Sequence, residues 1–450
     1  MRDFHSFSWM LLTVFLGCFC SLTTMNNAEA VEPQKNGGKV SGTFTRGKRL
    51  SSPTVRTSSP LQTLSSKKSV KVPAGTHEQI AIIEVGSKSD STMRINTFCM
   101  NKAGNLIAAC GNGPGEIRVF NRDGKLLETW KVPIAPDAIN VDEDDMVYIA
   151  GSGKLIKLDS HGKLLMTKDA PHAKAVKENS GKLREQVVQQ MKARSNVTVT
   201  MVPRLQKMID DIKSKSKTLS EQEKKRIVGY ESIMAHYKKM EKETKQKQLT
   251  EKEIDAQVEA LSKRKLRVSS LSTNDKEIFI ACSAATGYGY EVWRTDKNYE
   301  NGKIIVKGLR GCCGQMDVQC NQQGIFVAEN SRHRVNHYDS EGKLIKYWGK
   351  RDRNGVEGFG SCCNPMNVAV GRNGEVYTAE SNLGYIKRYS TEGKYLDFIG
   401  KVKLVPGCKN VSIMVSPDGS RVYMMDLTRN HIIVMAQKPT ATASTSKKKG

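Results

Sequence analysis

The sequence has 450 residues and a formal net charge of +25, with 71 Lys and Arg residues against 46 Asp and Glu residues. Such a charge is typical of nucleic-acid-binding proteins, but the excess is confined to three segments: roughly +8 in 31–75, +11 in 173–267 and +4 in 438–450. The rest of the chain is nearly neutral. We therefore expect no specific nucleic-acid partner, only a loose attraction of these segments to acidic surfaces.

The first 30 residues have the features of a targeting segment. An apolar run, FSWMLLTVFLGCFCSL at 7–22, follows Arg2, and Ala28-Glu29-Ala30 supplies small residues at a cleavage position. We predict a secretory signal peptide at 1–30 and a secreted or periplasmic protein; the alternative is an uncleaved N-terminal membrane anchor. Residues 31–76 are rich in Ser, Thr, Pro, Gly and Lys, and we predict a disordered basic leader there and a disordered tail at 438–450.

A Gly-Lys turn followed by two apolar or aromatic residues recurs along the chain. It begins at Gly124, Gly162, Gly302, Gly342 and Gly393. Each unit has an apolar strand, a polar turn, a second strand, a loop and a third strand, and the Gly-Lys turn then leads into a fourth. Repeats of about 40 residues that each contain four short strands predict the blades of a β-propeller.

The two ends of the repeat region complement one another. Residues 78–86, EQIAIIEVG, form an isolated strand pattern, whereas the last unit ends at 431–435 without a fourth strand. We predict that the N-terminal strand completes the last blade and removes the open sheet edge. The predicted fold is mainly β, a six-bladed β-propeller closed by this strand and built from residues 77–172 and 268–437.

Residues 173–267 change from strand to helix periodicity. Leu183, Val187 and Met191 recur every four residues, and capping boxes begin at Ser220 and Thr250. Pro203 is expected to separate two of the helices. The sequence thus predicts an α-helical, coiled-coil-like insertion between blades two and three, with its helices antiparallel.

The blades resemble a known family. The stretches VAENSRHRVNHYDSEGKLIKYWG at 327–349 and YTAESNLGYIKRYSTEGKYLDFIG at 377–400 are similar to the NHL-type repeat of six-bladed propellers. Related propellers include gluconolactonase-type enzymes, peptidyl-hydroxyglycine lyases, streptogramin lyases and many proteins that only bind partners. A resemblance in fold does not choose among these functions.

The cysteines follow the blade register. Cys18 and Cys20 fall in the predicted signal, and Cys313, Cys363 and Cys408 occupy one equivalent position, before the inner strands of three consecutive blades. Cys312 and Cys362 are their direct neighbours. A second equivalent set lies at the ends of the second strands: Cys110, Gly151, Cys282, Glu329, Glu380 and Asp426. Both sets are expected around one mouth of the central channel, together with the helical insertion.

Three interpretations of this predicted ring remain open. The carboxylates could cap loops while the cysteines pack in the core. Thiolates and carboxylates could instead hold one divalent ion, zinc or calcium. The adjacent cysteines could also form strained, redox-active disulfides. His333, in the loop after Glu329, completes the set of candidate residues on the ligand-binding face.

The leading functional hypothesis is an exported propeller that acts as a non-catalytic scaffold and binds a protein, peptide or glycan through this face. The alternative is a metal-dependent hydrolase or lyase, similar to a gluconolactonase or a peptidyl-hydroxyglycine lyase, with an ion at the channel mouth. The interleaved cysteines depart from the oxygen ligand set of Glu, Asp and Asn that a gluconolactonase-type site requires.

Overall fold

The computed structural model describes residues 72–86, 92–214, 218–245, 250–352, 356–361 and 363–439, without the side chains of 194–199 and 240–245. These residues belong to one compact unit, Val70–Gly450. The predicted signal peptide, most of the leader and nearly all of the tail lie outside them. Within the described part of the chain, no helix is long and apolar enough to cross a membrane.

The described strands form six four-stranded antiparallel sheets. Sheets 1 to 5 follow chain order, and sheet 6 contains both ends of the described chain. Sheet 1 has β2 (Ile95–Met100), β3 (Leu106–Cys110), β4 (Gly115–Phe120) and β5 (Leu126–Val132); sheet 2 has β6 (Ala138–Val141), β7 (Val147–Gly151), β8 (Lys154–Leu158) and β9 (Leu164–Asp169); sheet 3 has β10 (Val268–Thr273), β11 (Glu277–Ser283), β12 (Tyr290–Asp296) and β13 (Lys303–Leu309). Sheet 4 has β14 (Asp317–Asn321), β15 (Gly324–Glu329), β16 (Arg334–Tyr338) and β17 (Leu344–Trp348); sheet 5 has β18 (Asn367–Val370), β19 (Val376–Ala379), β20 (Tyr385–Tyr389) and β21 (Tyr395–Lys401); sheet 6 has β22 (Ile413–Val415), β23 (Arg421–Asp426), β24 (His431–Gln437) and β1 (His77–Glu84).

Burial falls from the inner to the outer strands of a sheet. All six residues of β15 are buried, whereas the first four residues of the outer strand β17 are exposed. The Gly-Lys turn explains why this outer strand begins where it does: the Asp339 carboxylate accepts the Lys343 N–H, and Gly342 has a φ of 83°. A side chain at Gly342 would meet the Ile305 carbonyl of the neighbouring sheet, so only glycine suits the position.

The inner strands of neighbouring sheets contact one another in series: β2 with β6, β6 with β10, β10 with β14, β14 with β18, β18 with β22, and β22 with β2. Apolar side chains fill the space between sheets, as where Val292 of sheet 3 packs with Met316 and Val318. This radial arrangement is that of a β-propeller. The central cavity is lined by the inner strands of all six sheets and has a volume of about 10 Å³, about the space that one water molecule needs.

The N-terminal strand lies beside the C-terminal one. β1 pairs antiparallel with β24, from His77 opposite Gln437 to Glu84 opposite His431. The Thr76 carbonyl continues this pairing by accepting the Lys438 N–H, and the Thr76 N–H donates to the Phe398 carbonyl of sheet 5. The chain ends therefore share sheet 6, in the pairing that the sequence predicts.

Four α-helices follow β9 and precede β10: α1 (Pro171–Glu178), α2 (Ser180–Ser214), α3 (Glu221–Lys245) and α4 (Glu251–Lys265). Both predicted capping boxes are present. The Glu223 N–H donates to the Ser220 hydroxyl while the Glu223 carboxylate accepts the Ser220 N–H, and Thr250 and Glu253 exchange the same pair of bonds.

The predicted break at Pro203 is wrong, because α2 continues through this residue. A proline removes one backbone hydrogen bond, but this helix is held on both sides of it. Leu183 and Val187 pack with α4 residues such as Ile254, and Ile209 packs with Ile227 of α3. These two apolar contacts stabilise the helix on either side of the missing bond.

Candidate functional site: the cysteine face

Loops that lead into an inner strand and loops that leave a second strand lie side by side on one face of the sheets. Their backbones are joined by side chains: the Glu329 carboxylate accepts the Arg310 N–H, the Glu380 carboxylate accepts that of Gly360, and the Asp426 carboxylate accepts that of Val405. We call this side the cysteine face. Its described loops are 309–316, 330–333, 356–361, 363–366, 381–384, 403–412 and 427–430.

Glu329 is fully buried beneath this face. Besides the Arg310 N–H at 2.9 Å, its carboxylate accepts bonds from Arg334 Nε at 2.7 Å and Asn336 Nδ2 at 3.0 Å. A carboxylate with these three donors joins the loop before β14 to strand β16. It holds the loop before β14 in place and has little capacity left for a ligand.

Glu380 forms a buried ion pair with Lys387, and both side chains are fully inaccessible to solvent. Burial raises the pKa of Glu380 and lowers the pKa of Lys387, and the opposite charge of each partner counters the effect of burial on the other. Lys387 also donates to the Gly358 carbonyl. The pair thus fixes the loop before β18.

Asp426 has the same role in sheet 6. It accepts the Val405 N–H at 3.0 Å and the Thr428 N–H at 3.1 Å, and Lys409 Nζ lies 3.2 Å away. Burial alone would raise its pKa, but the Val405 N–H and the Lys409 charge outweigh burial and hold the pKa below its usual value. The geometry of all three acids is that of loop capping.

Four ion pairs at the edge of this face each consist of an exposed cation and a largely buried carboxylate. Four carboxylates have side chains no more than 12% exposed, while the cation beside each is 40–78% exposed. The pairs are Glu116 with Lys131, Asp137 with Arg267, Glu329 with Arg332 and Asp426 with Arg429. At these four pairs an approaching molecule meets the cation first, whereas at the equivalent position of sheet 2 the carboxylate of Asp169 is 72% exposed and its partner Lys154 is 48% exposed.

Three cysteine sulfurs from the loops before β14 and β18 lie close together. Cys363 Sγ lies 3.0 Å from Cys312 Sγ, Cys312 Sγ lies 3.4 Å from Cys313 Sγ, and Cys313 Sγ lies 3.6 Å from Cys363 Sγ. Cys408, from the loop before β22, interacts with the Cys313 thiol, although its sulfur lies outside the group of three sulfurs that are all within 4.8 Å of one another. Cysteines that the blade register predicts to be equivalent thus lie near one another in the structure.

The thiols of this cluster titrate together. Hydrogen bonds from Cys313 and Cys363 hold the pKa of Cys312 well below its usual range, and the hydrogen bond with Cys312 raises the pKa of Cys313. A negative charge on one sulfur disfavours a second one nearby.

The turn that carries two of the sulfurs is fixed by Asn330. Cys313 and Gly314 have φ values of 56° and 73°, and the Gln315 N–H donates to the Cys312 carbonyl, which closes the turn. The fully buried Asn330 side chain accepts the Cys312 N–H at 2.7 Å and donates to the Gln315 carbonyl at 3.1 Å. Asn330 was not among the predicted site residues, although its position directly after Glu329 was a usable signal.

Other predicted site residues lie apart from the cluster. Cys110 packs in an apolar core between sheets 6 and 1, and burial raises its pKa to about 12. Cys282 is also fully buried, at the end of β11. His333 is partly buried and has a φ of 54°. Cys362 lies outside the described residues.

The helices begin and end beside the same face. Lys265, at the end of α4, donates to the carbonyls of Ala284 and Gly287 in the loop after β11. Ser269, four residues further along the chain, donates its hydroxyl to the Gly314 carbonyl and accepts the Met316 N–H. Through these hydrogen bonds Ser269 links the segment that follows α4 to the cysteine turn.

No protein-family model and no curated protein matches the chain. Among solved structures, it is similar to a gluconolactonase from Xanthomonas campestris (9% identity, 82% of this chain and 99% of that chain covered, TM-score 0.42) and to the WD40 domain of Pan2 from Neurospora crassa (9% identity, 82% and 98%, TM-score 0.42). It is also similar to a streptogramin B lyase (10% identity, 80% and 98%, TM-score 0.39). These superpositions are too loose to carry a functional argument.

Proposed function

We propose that the protein is a non-catalytic binding scaffold, a six-bladed propeller closed by β1, whose cysteine face binds an acidic segment of a partner protein. The helices are an insertion between the second and third blades and lie beside this face. The N-terminal 30 residues direct export, and the partner is accordingly met outside the cytoplasm. N-terminal sequencing of secreted protein tests this last point, with a mature start near Val31 expected.

The observation that carries the proposal is the arrangement of the four ion pairs, with each cation exposed above a buried carboxylate. A surface of this kind attracts acidic side chains without a preformed deep pocket. It also presents the cations around one face, where they can contact several acidic residues of one extended segment.

The alternative, a metal-dependent hydrolase or lyase of the gluconolactonase type, requires carboxylate oxygens that are free to hold an ion. Glu329, Glu380 and Asp426 each bond to backbone N–H groups and to a cation. These engaged carboxylates favour the scaffold.

The test is binding of a fluorescent peptide of alternating Glu and Gly residues, followed by anisotropy. In the variant Lys131→Gln/Arg332→Gln/Arg429→Gln, each buried acid keeps a second cation, namely Arg118, Arg334 or Lys409, so the fold is retained. Three exposed ion pairs lost at about 0.7 kcal/mol each weaken binding by about 30-fold.

The matched control is Lys125→Gln/Lys163→Gln/Lys394→Gln, which removes three exposed lysines from the Gly-Lys turns at the opposite ends of the strands. This variant is expected to bind as the wild type does. Equal weakening in both variants would mean attraction by overall charge alone. Preferential binding of a sulfated oligosaccharide would replace the protein partner by a glycan, and turnover of gluconolactone would support the enzyme.

A further inference from the structure

The three sulfurs of Cys312, Cys313 and Cys363 form a triangle with sides of 3.0, 3.4 and 3.6 Å. These distances exceed the S–S bond length of about 2.05 Å. They are about 0.2 to 0.8 Å below the separation of about 3.8 Å that three sulfurs adopt around a tetrahedral zinc ion with Zn–S distances near 2.3 Å. Small outward movements of the side chains would admit an ion.

The backbone of the cysteine turn is a second, independent observation. Cys313 has a φ of 56°, a left-handed conformation that residues with a side chain rarely adopt. Gly314 follows with a φ of 73°, so a glycine at position 313 would make the same turn without strain. This turn brings the Cys313 sulfur to 3.4 Å from Cys312 Sγ and 3.6 Å from Cys363 Sγ.

Buried asparagines hold both loops that carry the sulfurs. Asn330 bonds to the N–H of Cys312 and the carbonyl of Gln315, and Asn364 donates to the Gly360 carbonyl at 2.9 Å and accepts the Ser381 N–H at 3.1 Å. Both asparagines are fully buried. Supports of this kind hold ligand-bearing loops in position before an ion binds.

The cluster is open to solvent on one side only. Cys363 is fully buried, Cys312 is partly buried and Cys313 is exposed. An ion can therefore enter past Cys313 and lose most of its hydration against Cys363. The nearby carboxylates are engaged with their own loops, so the available ligands are sulfurs, which select soft ions and disfavour calcium or magnesium.

We propose that Cys312, Cys313 and Cys363, with Cys408 as the fourth ligand, bind one thiophilic ion with a filled d shell, either Zn²⁺ or Cu⁺. Each thiol that coordinates releases its proton to water, and no electron is transferred, so copper must be supplied as Cu⁺. The bound ion joins the loops before β14, β18 and β22 and so stabilises three neighbouring sheets. This site is independent of the proposed acidic partner.

The test uses the full chain, reduced, stripped with a chelator and kept without oxygen. Co²⁺ serves as a spectroscopic probe, because tetrahedral thiolate coordination gives strong sulfur-to-cobalt charge-transfer absorption. Zn²⁺ and Cu⁺ are then titrated separately against competing chelators of known affinity. We expect one equivalent bound per chain, loss of the cobalt absorption when the tighter ion is added, and a higher melting temperature of the loaded protein.

The variant Cys313→Ser removes an exposed ligand without disturbing the core, and its fold is checked by circular dichroism. It is expected to bind the ion at least about 100-fold more weakly. Cys408→Ser tests the fourth ligand, with a loss of about tenfold or more. The control is Cys320→Ser, whose sulfur lies 3.3 Å from the Ser272 hydroxyl and outside the cluster; it should bind as the wild type does.

Failure of the wild type to bind one equivalent of either ion overturns the proposal, and so does wild-type affinity in Cys313→Ser. Neither result would bear on peptide binding at the exposed cations, which is measured without metal. Loss of peptide binding with intact metal binding would, conversely, contradict only the scaffold.

Discussion

Replacing Lys387 by Met tests the buried ion pair beneath the cysteine face. Lys387 has no solvent exposure, pairs with Glu380, donates to the Gly358 carbonyl and lies 5.1 Å from the Phe359 ring centroid. Methionine has a similar volume, so the main effect is the loss of charge and of donors. The remaining carboxylate of Glu380 is then buried without a cation.

Breaking a buried pair in this way costs about 3–5 kcal/mol of the free energy of unfolding at neutral pH. Because burial raises the pKa of Glu380, the unpaired carboxyl takes up a proton more readily in the folded variant than in the unfolded chain. The folded variant then binds more protons, and its deficit shrinks as the pH falls towards the unfolded pKa of about 4.3.

The measurement is equilibrium unfolding in urea for the wild type, Lys387→Met and the double variant Glu380→Gln/Lys387→Met. The double variant removes both charges and should recover most of the loss. The control is Lys394→Met, an exposed lysine of a Gly-Lys turn, expected within about 0.5 kcal/mol of the wild type. A loss below about 1 kcal/mol in Lys387→Met, at a pH where Glu380 is ionised, would refute the reasoning.

Three further predictions concern the fold. Deletion of 76–88 removes β1 and leaves β24 as an open edge, so the melting temperature should fall by many degrees. Deletion of 31–70 should leave the melting temperature unchanged. Equal melting temperatures of the two deletion variants would argue against closure by β1. Replacement of 173–265 by a Gly-Ser linker should leave a folded, less basic protein with native-like circular dichroism of its strands, since the helices pack mostly with one another; aggregation with every linker length tried would show that they belong to the propeller core. His172 is buried, and burial lowers its pKa to about 4. Between about pH 6.5 and 4 the unfolded chain therefore binds one more proton than the folded chain, so the free energy of unfolding should fall as the pH drops through this window. A His172→Leu variant should lack this component in thermal unfolding from pH 7 to 4, and an unchanged slope would assign it to another group.

The repeated elements were predictable because their signals are local. The third strands Arg334–Tyr338 and Tyr385–Tyr389 lie between the loop and the Gly-Lys turn of their units, as the repeat predicts, and both helix caps follow from Ser220 and Thr250. The continuation of α2 through Pro203 was not predictable, because it depends on packing against two other helices rather than on the residues around the proline.

The cysteine cluster was predictable only in part. The blade register placed Cys313 and Cys363 at equivalent positions, and the structure puts their sulfurs 3.6 Å apart. The register did not predict that the Cys312 sulfur points into the same cluster, because this orientation depends on the left-handed backbone of Cys313. Nor did the register predict that the Glu329 carboxylate is turned inward towards its own loop.

The most direct test of the central claim locates the acidic peptide on the protein by hydrogen exchange of backbone amides. We expect slower exchange on peptide addition in the exposed loops of the cysteine face, 309–314, 330–333 and 427–430, and no change in the Gly-Lys turns at 122–125, 160–163 and 391–394. Protection confined to those turns, or spread evenly over both faces, would contradict a binding site at the cysteine face.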